Sequence, residues 1–118
     1  IRDSNNMVKL TDAPVIIIEG DEYLSSPIDR RPKFHLYKPH ISVISGISWD
    51  HINVFPTFET YLNQFRIFKN ITKDKIIYFE GDQNLIKIIN EGTNCNSISY
   101  KTPEYKIVNG QTKSYSII

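Results

Sequence analysis

From Ile41 to Lys101 short apolar runs alternate with amphipathic stretches, and that alternation restricts the fold more than any other feature. Ile41-Ser42-Val43-Ile44-Ser45-Gly46-Ile47 reads as a strand, Lys75 to Phe79 as a buried strand, and Ser97 to Lys101 as another. Between the first two, Phe58, Tyr61, Leu62, Phe65 and Phe68 recur at the i, i+3, i+4, i+7 spacing of one helix face. Thr57 is a good N-cap for that helix. Glu59 in its first turn and Lys69 in its last suit its dipole. The aromatic stripe reads as core, not as a cofactor box. Between the later strands, Asp82 can cap a shorter helix carrying Leu85, Ile86, Ile88 and Ile89, which Gly92 stops. Strand, helix, strand, helix, strand is the signature of a parallel sheet in an α/β domain.

The flanks extend this frame. Val15-Ile16-Ile17-Ile18 is a continuous β-branched run, the pattern of a strand buried on both faces, and Pro14 sits acceptably at its start. Met7 to Leu10 reads as a short edge strand. At the other end, Glu104 to Val108, Asn109-Gly110 and Gln111 to Ile118 predict an added antiparallel hairpin at the C-terminus, as a second, smaller sheet or an extension of the edge. Periodicity vanishes from Glu19 to Pro39. Pro27, Pro32 and Pro39 exclude a long helix there and leave room for a turn or two. Phe34, Leu36 and Tyr37 give this stretch something to bury, so it is expected to be ordered.

Composition narrows the function classes. Fourteen Lys and Arg against 13 Asp and Glu leave a formal charge of +1, which argues against a nucleic-acid footprint or a polybasic membrane patch. The single cysteine, Cys95, cannot form an internal disulfide and suits a reducing compartment. No apolar run approaches the roughly 20 residues of a membrane helix. A cytoplasmic chain without a membrane partner is expected.

The chemistry-bearing residues gather after the strands. Trp49-Asp50-His51 follows one run, and Glu19-Gly20-Asp21-Glu22 follows Val15–Ile18. Ligands in open α/β sheets collect at the C-terminal strand ends, so Glu19 and His51 are candidates to share a divalent cation. The ordinary readings stand beside this: a solvated acidic loop, and a histidine that is simply hydrogen-bonded. Arg30 and Arg31 read either as an ion-paired face or as forks for a carboxylate or phosphate. The chain lacks Gly-x-x-x-x-Gly-Lys-Ser/Thr, Gly-x-Ser-x-Gly, His-Glu-x-x-His and any Cys pair, which leaves nucleophilic catalysis and structural zinc unsupported.

Ile18-Glu19-Gly20-Asp21-Glu22-Tyr23, with Ile28-Asp29-Arg30-Arg31-Pro32-Lys33-Phe34 after it, resembles the Glu-Ala-Asp-Glu-Tyr segment of the Mur ligases. Trp49-Asp50-His51-Ile52-Asn53-Val54-Phe55 resembles their Asp-His-Met/Leu-Asp-x-Tyr motif. Within the family the pattern is most like the muropeptide ligase branch, and next the UDP-N-acetylmuramate–alanine ligases. The resemblance implies a partial three-layer α/β/α central domain. It implies an ATP-dependent amide ligase that acts on UDP-N-acetylmuramate in peptidoglycan synthesis or recycling through an acyl phosphate. It further implies ATP and Mg2+ as cofactors, Glu19 and His51 as catalytic metal ligands, and a peptide or amino acid as the incoming amine. Tyr23, Arg30 and Arg31 become candidate substrate contacts.

Departures from the family pattern are informative. Gln64 stands where several members of the family carry a carbamoylated lysine, in agreement with branches that lack it, and Ser45-Gly46-Ile47 replaces Thr-Asn-Ile. Position 1 is not Met, and no Walker loop precedes the acidic motif. Residues 1–118 are therefore expected to be the later part of a central domain, lacking the Walker loop and the flanking UDP-binding and C-terminal domains. Such a piece would be inactive alone and would depend on the rest of its polypeptide. The competing expectation is a stand-alone, non-catalytic α/β module that holds an anionic ligand through the Arg30-Arg31 loop.

Overall fold

A computed structural model describes residues 11–49 and 52–103, with the backbone of strands at 105–108 and 111–114. Eight elements follow in order: α1 (Lys33–Tyr37), β1 (Ile41–Ile44), α2 (Phe58–Ile71), β2 (Lys75–Phe79), α3 (Gln83–Asn90), β3 (Asn96–Tyr100), β4 (Tyr105–Val108) and β5 (Gln111–Ser114). Strands β1, β2 and β3 form one parallel sheet in that order, with Val43, Ile77 and Ile98 in register across it. Strands β4 and β5 pair antiparallel as a separate ribbon, Val108 opposite Gln111, as the Asn-Gly signal predicts. The α/β class and the added hairpin both follow the sequence pattern.

One face of the sheet carries the core. Ser42, Ile44 and Ile76 alternate inward beneath Tyr61, Leu62 and Phe65 of α2 and Leu85, Ile88 and Ile89 of α3. Ile76 and Leu85 are wholly buried. Both connecting helices lie on this side, so the described residues form two layers. On the opposite face Val43 is 64% and Ile98 49% exposed. Parallel sheets ordinarily have both faces covered. The described residues thus contain one of the two helical layers expected.

Helices α2 and α3 begin where the sequence says they should. Thr57 and Thr60 form a reciprocal capping box at α2, and Asp82 Oδ1 accepts from the backbone N–H groups of Asn84 and Leu85 at α3. Gly92, at φ 105°, follows α3 in the left-handed region that glycine enters without strain. Arg66 ties the two helices together, donating to Glu59 at 2.6 Å and to both oxygens of Glu91 at 2.8 and 2.9 Å. Lys69 does more than suit the helix dipole. It lies in the last turn of α2, as expected, and is in addition buried: it is 4% exposed, and its Nζ donates to Ile88 O at 2.9 Å. It thereby satisfies a carbonyl near the end of α3.

One departure is large. Val15–Ile18, expected as a doubly buried strand, forms no ladder, and Ile17 is 93% exposed. A β-branched run becomes a strand only when a neighbour takes its N–H and C=O groups. No described strand lies beside it. The expected edge strand at Met7–Leu10 lies outside the described residues. The proline-rich stretch is ordered, as its aromatic content suggests. Phe34 of α1 packs 5.5 Å from Phe65 and 4.8 Å from Phe68, ring centre to ring centre.

Candidate functional site

The C-terminal mouth of the sheet is built by the turns after β1 and β2. After β1 the chain runs through Ser45 to Trp49 and is held at three points. Ile47 N–H donates to Asp82 Oδ2 at 2.6 Å, Tyr61 Oη donates to Ser48 O at 2.8 Å, and Trp49 Nε1 donates to Phe55 O at 3.1 Å. The Trp49 ring also lies 5.7 Å from that of Phe58. After β2, Glu80 is ion-paired with Lys101 at 3.4 Å. A Cβ at Gly81 would run into the Phe79 ring, so this turn needs a glycine to keep that ring where it packs on Tyr100. Asp50 and His51, which continue the first of these turns, lie outside the described residues.

Glu19 lies on exposed chain outside any helix or strand, contrary to the expectation that it ends a strand. It has no hydrogen bond or ion pair among the described residues. Two residues on, Asp21 is engaged: it accepts from Tyr23 N–H at 3.1 Å and Lys33 Nζ at 3.3 Å, and its carbonyl accepts from Phe34 N–H. Lys33 Nζ also stands 5.9 Å from the centre of the Tyr23 ring. These contacts zip residues 21–24 to 32–34, with a bridge between Leu24 and Pro32.

The tip of that zipper decides which arginine is available. Asp29 accepts from Arg31 Nε at 2.9 Å and Nη2 at 2.7 Å, a bidentate pair. The guanidinium, with the Arg31 backbone N–H, holds the Asp29 carboxyl well below the usual range, and the same pairing raises Arg31. Ser25 and Ser26 hydroxyls lock the turn further through Asp29. Arg30 is exposed and makes no hydrogen bond or ion pair among the described residues. The two arginines, equivalent in sequence, divide into one that holds the loop and one without a partner among the described residues.

Elsewhere, His35 Nε2 donates to Gln64 O at 2.8 Å, and burial pushes the imidazole below its ordinary value near 6.5. Gln64 turns its own amide back to Thr60 O at 3.0 Å. No group of three or more metal-ligating side chains occurs among the described residues. The chemistry of the residues still suits a hard cation: a carboxylate such as Glu19 is the ligand type that magnesium takes, in small number, alongside phosphate oxygens. The clamps by Asp82 and Tyr61 escaped sequence reading. Asp82 is visible as a cap, but nothing in its spacing shows its second oxygen reaching back 35 positions to Ile47.

Residues 5–116 match the family model described as the Mur ligase middle domain. The chain belongs to the Mur ligase family. It is 39% identical over 57 residues to a UDP-N-acetylmuramate–L-alanyl-gamma-D-glutamyl-meso-2,6-diaminoheptandioate ligase of Haemophilus influenzae, covering 48% of this chain and 13% of that protein. The Escherichia coli protein of that name is 31% identical over 78 residues, 64% of this chain and 17% of its own length. A UDP-N-acetylmuramate–L-alanine ligase of Clostridium botulinum is 32% identical over 97 residues, 81% of this Mur ligase chain and 20% of the relative. The chain thus spans between about an eighth and a fifth of the relatives it matches. No solved structure matches it significantly. No described helix is long and apolar enough to cross a membrane.

Proposed function

We propose that residues 1–118 are the later part of the central domain of a cytoplasmic, ATP-dependent Mur ligase that extends UDP-N-acetylmuramate by an amino acid or peptide. The match to the Mur ligase middle domain over residues 5–116 carries this reading. In it, the carboxylate of one substrate takes the γ-phosphoryl group of ATP to give an acyl phosphate and ADP. An incoming amine then attacks the carbonyl carbon, phosphate leaves, and an amide forms. Glu19 and His51 would hold a Mg2+ ion, which when bound neutralises charge between carboxylate and phosphate. Of the candidate substrate residues Tyr23, Arg30 and Arg31, Arg30 is best placed to take an anionic group, because the Arg31 fork is occupied by Asp29. The test uses the polypeptide that carries this chain, with ATP and UDP-N-acetylmuramate, offered either L-alanine or a tripeptide. Amide formation with release of ADP and phosphate is expected, at least a hundredfold slower in His51→Ala with an unchanged unfolding midpoint. Failure of both acceptors to yield amide would overturn the ligase reading.

A further inference from the structure

We infer that Asp82 is a positioning residue for the mouth of the sheet, fixing through Ile47 the backbone that leads into Asp50 and His51. The inference rests on the cation-site reading above. Asp82 stands at the start of α3, yet its two oxygens serve different parts of the chain. Oδ1 caps the helix through the N–H groups of Asn84 and Leu85, at 2.9 and 3.0 Å. Oδ2 accepts the N–H of Ile47 at 2.6 Å, across 35 positions of sequence.

Ile47 lies beyond the end of β1, so no sheet partner is there to take that donor. Its side chain is nevertheless 7% exposed and part of the core, and a buried donor needs an acceptor. An ionised carboxylate is acceptor-only and can serve two directions at once. Immediately downstream, Ser48 O is held by Tyr61 and the Trp49 indole by Phe55 O. Asp82 is the anchor nearest β1 and the only one of the three that comes from the neighbouring strand–helix unit. It makes the path of this segment depend on where α3 begins.

Capping and positioning separate by substitution. Asparagine caps a helix about as well as aspartate, but its second terminal atom is an NH2 that would face the Ile47 N–H donor to donor. Serine also caps and is too short to reach Ile47. Trp49 is the only tryptophan, so its fluorescence reads the segment directly. In Asp82→Asn and Asp82→Ser, acrylamide quenching of Trp49 should rise at least twofold. Exchange of the Ile47 amide should quicken at least tenfold, while the Asn84 and Leu85 amides stay protected. The dissociation constant for Mn2+, followed by its electron paramagnetic resonance signal, should rise at least fivefold. Ile88→Val, which loosens the packing of α3 without touching Asp82, should leave all three unchanged.

Unaltered Trp49 quenching and Ile47 exchange in both Asp82 variants would overturn the inference. So would loosening of the segment with Mn2+ affinity unchanged, since Asp82 would then be structural only. If the unmodified chain binds no Mn2+, the cation site fails and the positioning role fails with it. The Trp49 and Ile47 responses distinguish that outcome from a clamp that does not exist.

Discussion

Two stretches of this chain spell nearly the same thing and fold differently. Val15-Ile16-Ile17-Ile18-Glu19-Gly20-Asp21 and Ile76-Ile77-Tyr78-Phe79-Glu80-Gly81-Asp82 each run from β-formers into Glu-Gly-Asp. The second is the central strand of the sheet, paired on both sides, and its Asp caps a helix. The first is exposed, unpaired chain, and its Asp closes a local turn with Tyr23 and Lys33. Local preference is identical in kind. What differs is neighbours: β1 and β3 flank the second run, whereas no described strand flanks the first. The contrast also bears on chemistry, because Glu80 is paired with Lys101 while Glu19 has no partner among the described residues.

The largest effect should come from the apolar positions. Ile76→Ala removes a wholly buried side chain from the centre of the core and should cost about 2–5 kcal/mol in urea unfolding. Ile17→Ala, at a side chain 93% exposed, should stay within about 0.5 kcal/mol. Comparable losses at the two positions would mean that Val15–Ile18 is buried as a strand after all.

The aspartates sharpen the comparison on a smaller scale. Asp82→Ala removes a cap and leaves the Ile47 donor unsatisfied, for about 1–3 kcal/mol. Asp21→Ala loses a turn hydrogen bond and a solvent-exposed ion pair, and should cost about 1 kcal/mol or less. Equal values for the two would remove the case that Asp82 links two parts of the fold.

How much of this was readable in the sequence follows from the range of the interactions concerned. The helix faces, the Thr57 and Asp82 caps, the β2 bounds and the hairpin were legible because periodicity and capping act within a few residues. The fate of Val15–Ile18 was not, since the same β-branched pattern serves a paired strand and a bare one. Nor was the division of labour between Arg30 and Arg31. It depends on the turn that brings Asp29 back to face only the second of them. The place of Lys69 in the last turn of α2 was legible too, but not its burial, which depends on the Ile88 carbonyl of α3, 19 positions away.

Smallest of the expected effects is a pH dependence. Burial holds His35 neutral in the folded chain to lower pH than in the unfolded one, with the nearby Arg31 charge adding to this and the bond to Gln64 O opposing it. Below the ordinary histidine value the unfolded chain therefore binds the extra proton first. Stability should decline as pH falls through about 6.5 toward the lower folded value, and His35→Gln should flatten the curve there. Further loss at lower pH is expected from Asp29 and Glu91, whose carboxyls lie below their ordinary values beside Arg31 and Arg66. Thermal midpoints at half-unit pH steps would show it. A profile flat from pH 7 to about 5 would contradict the neutral, half-buried imidazole.

The central claim is that the cation belongs to the first acidic run and not to its twin. Titrating the chain with Mn2+ and following the free-ion resonance signal tests it directly. Saturable binding is expected, lost or weakened at least tenfold in Glu19→Gln and in His51→Ala, and unchanged in Glu80→Gln. Binding that survives both of the first two changes and disappears with Glu80→Gln would contradict the account.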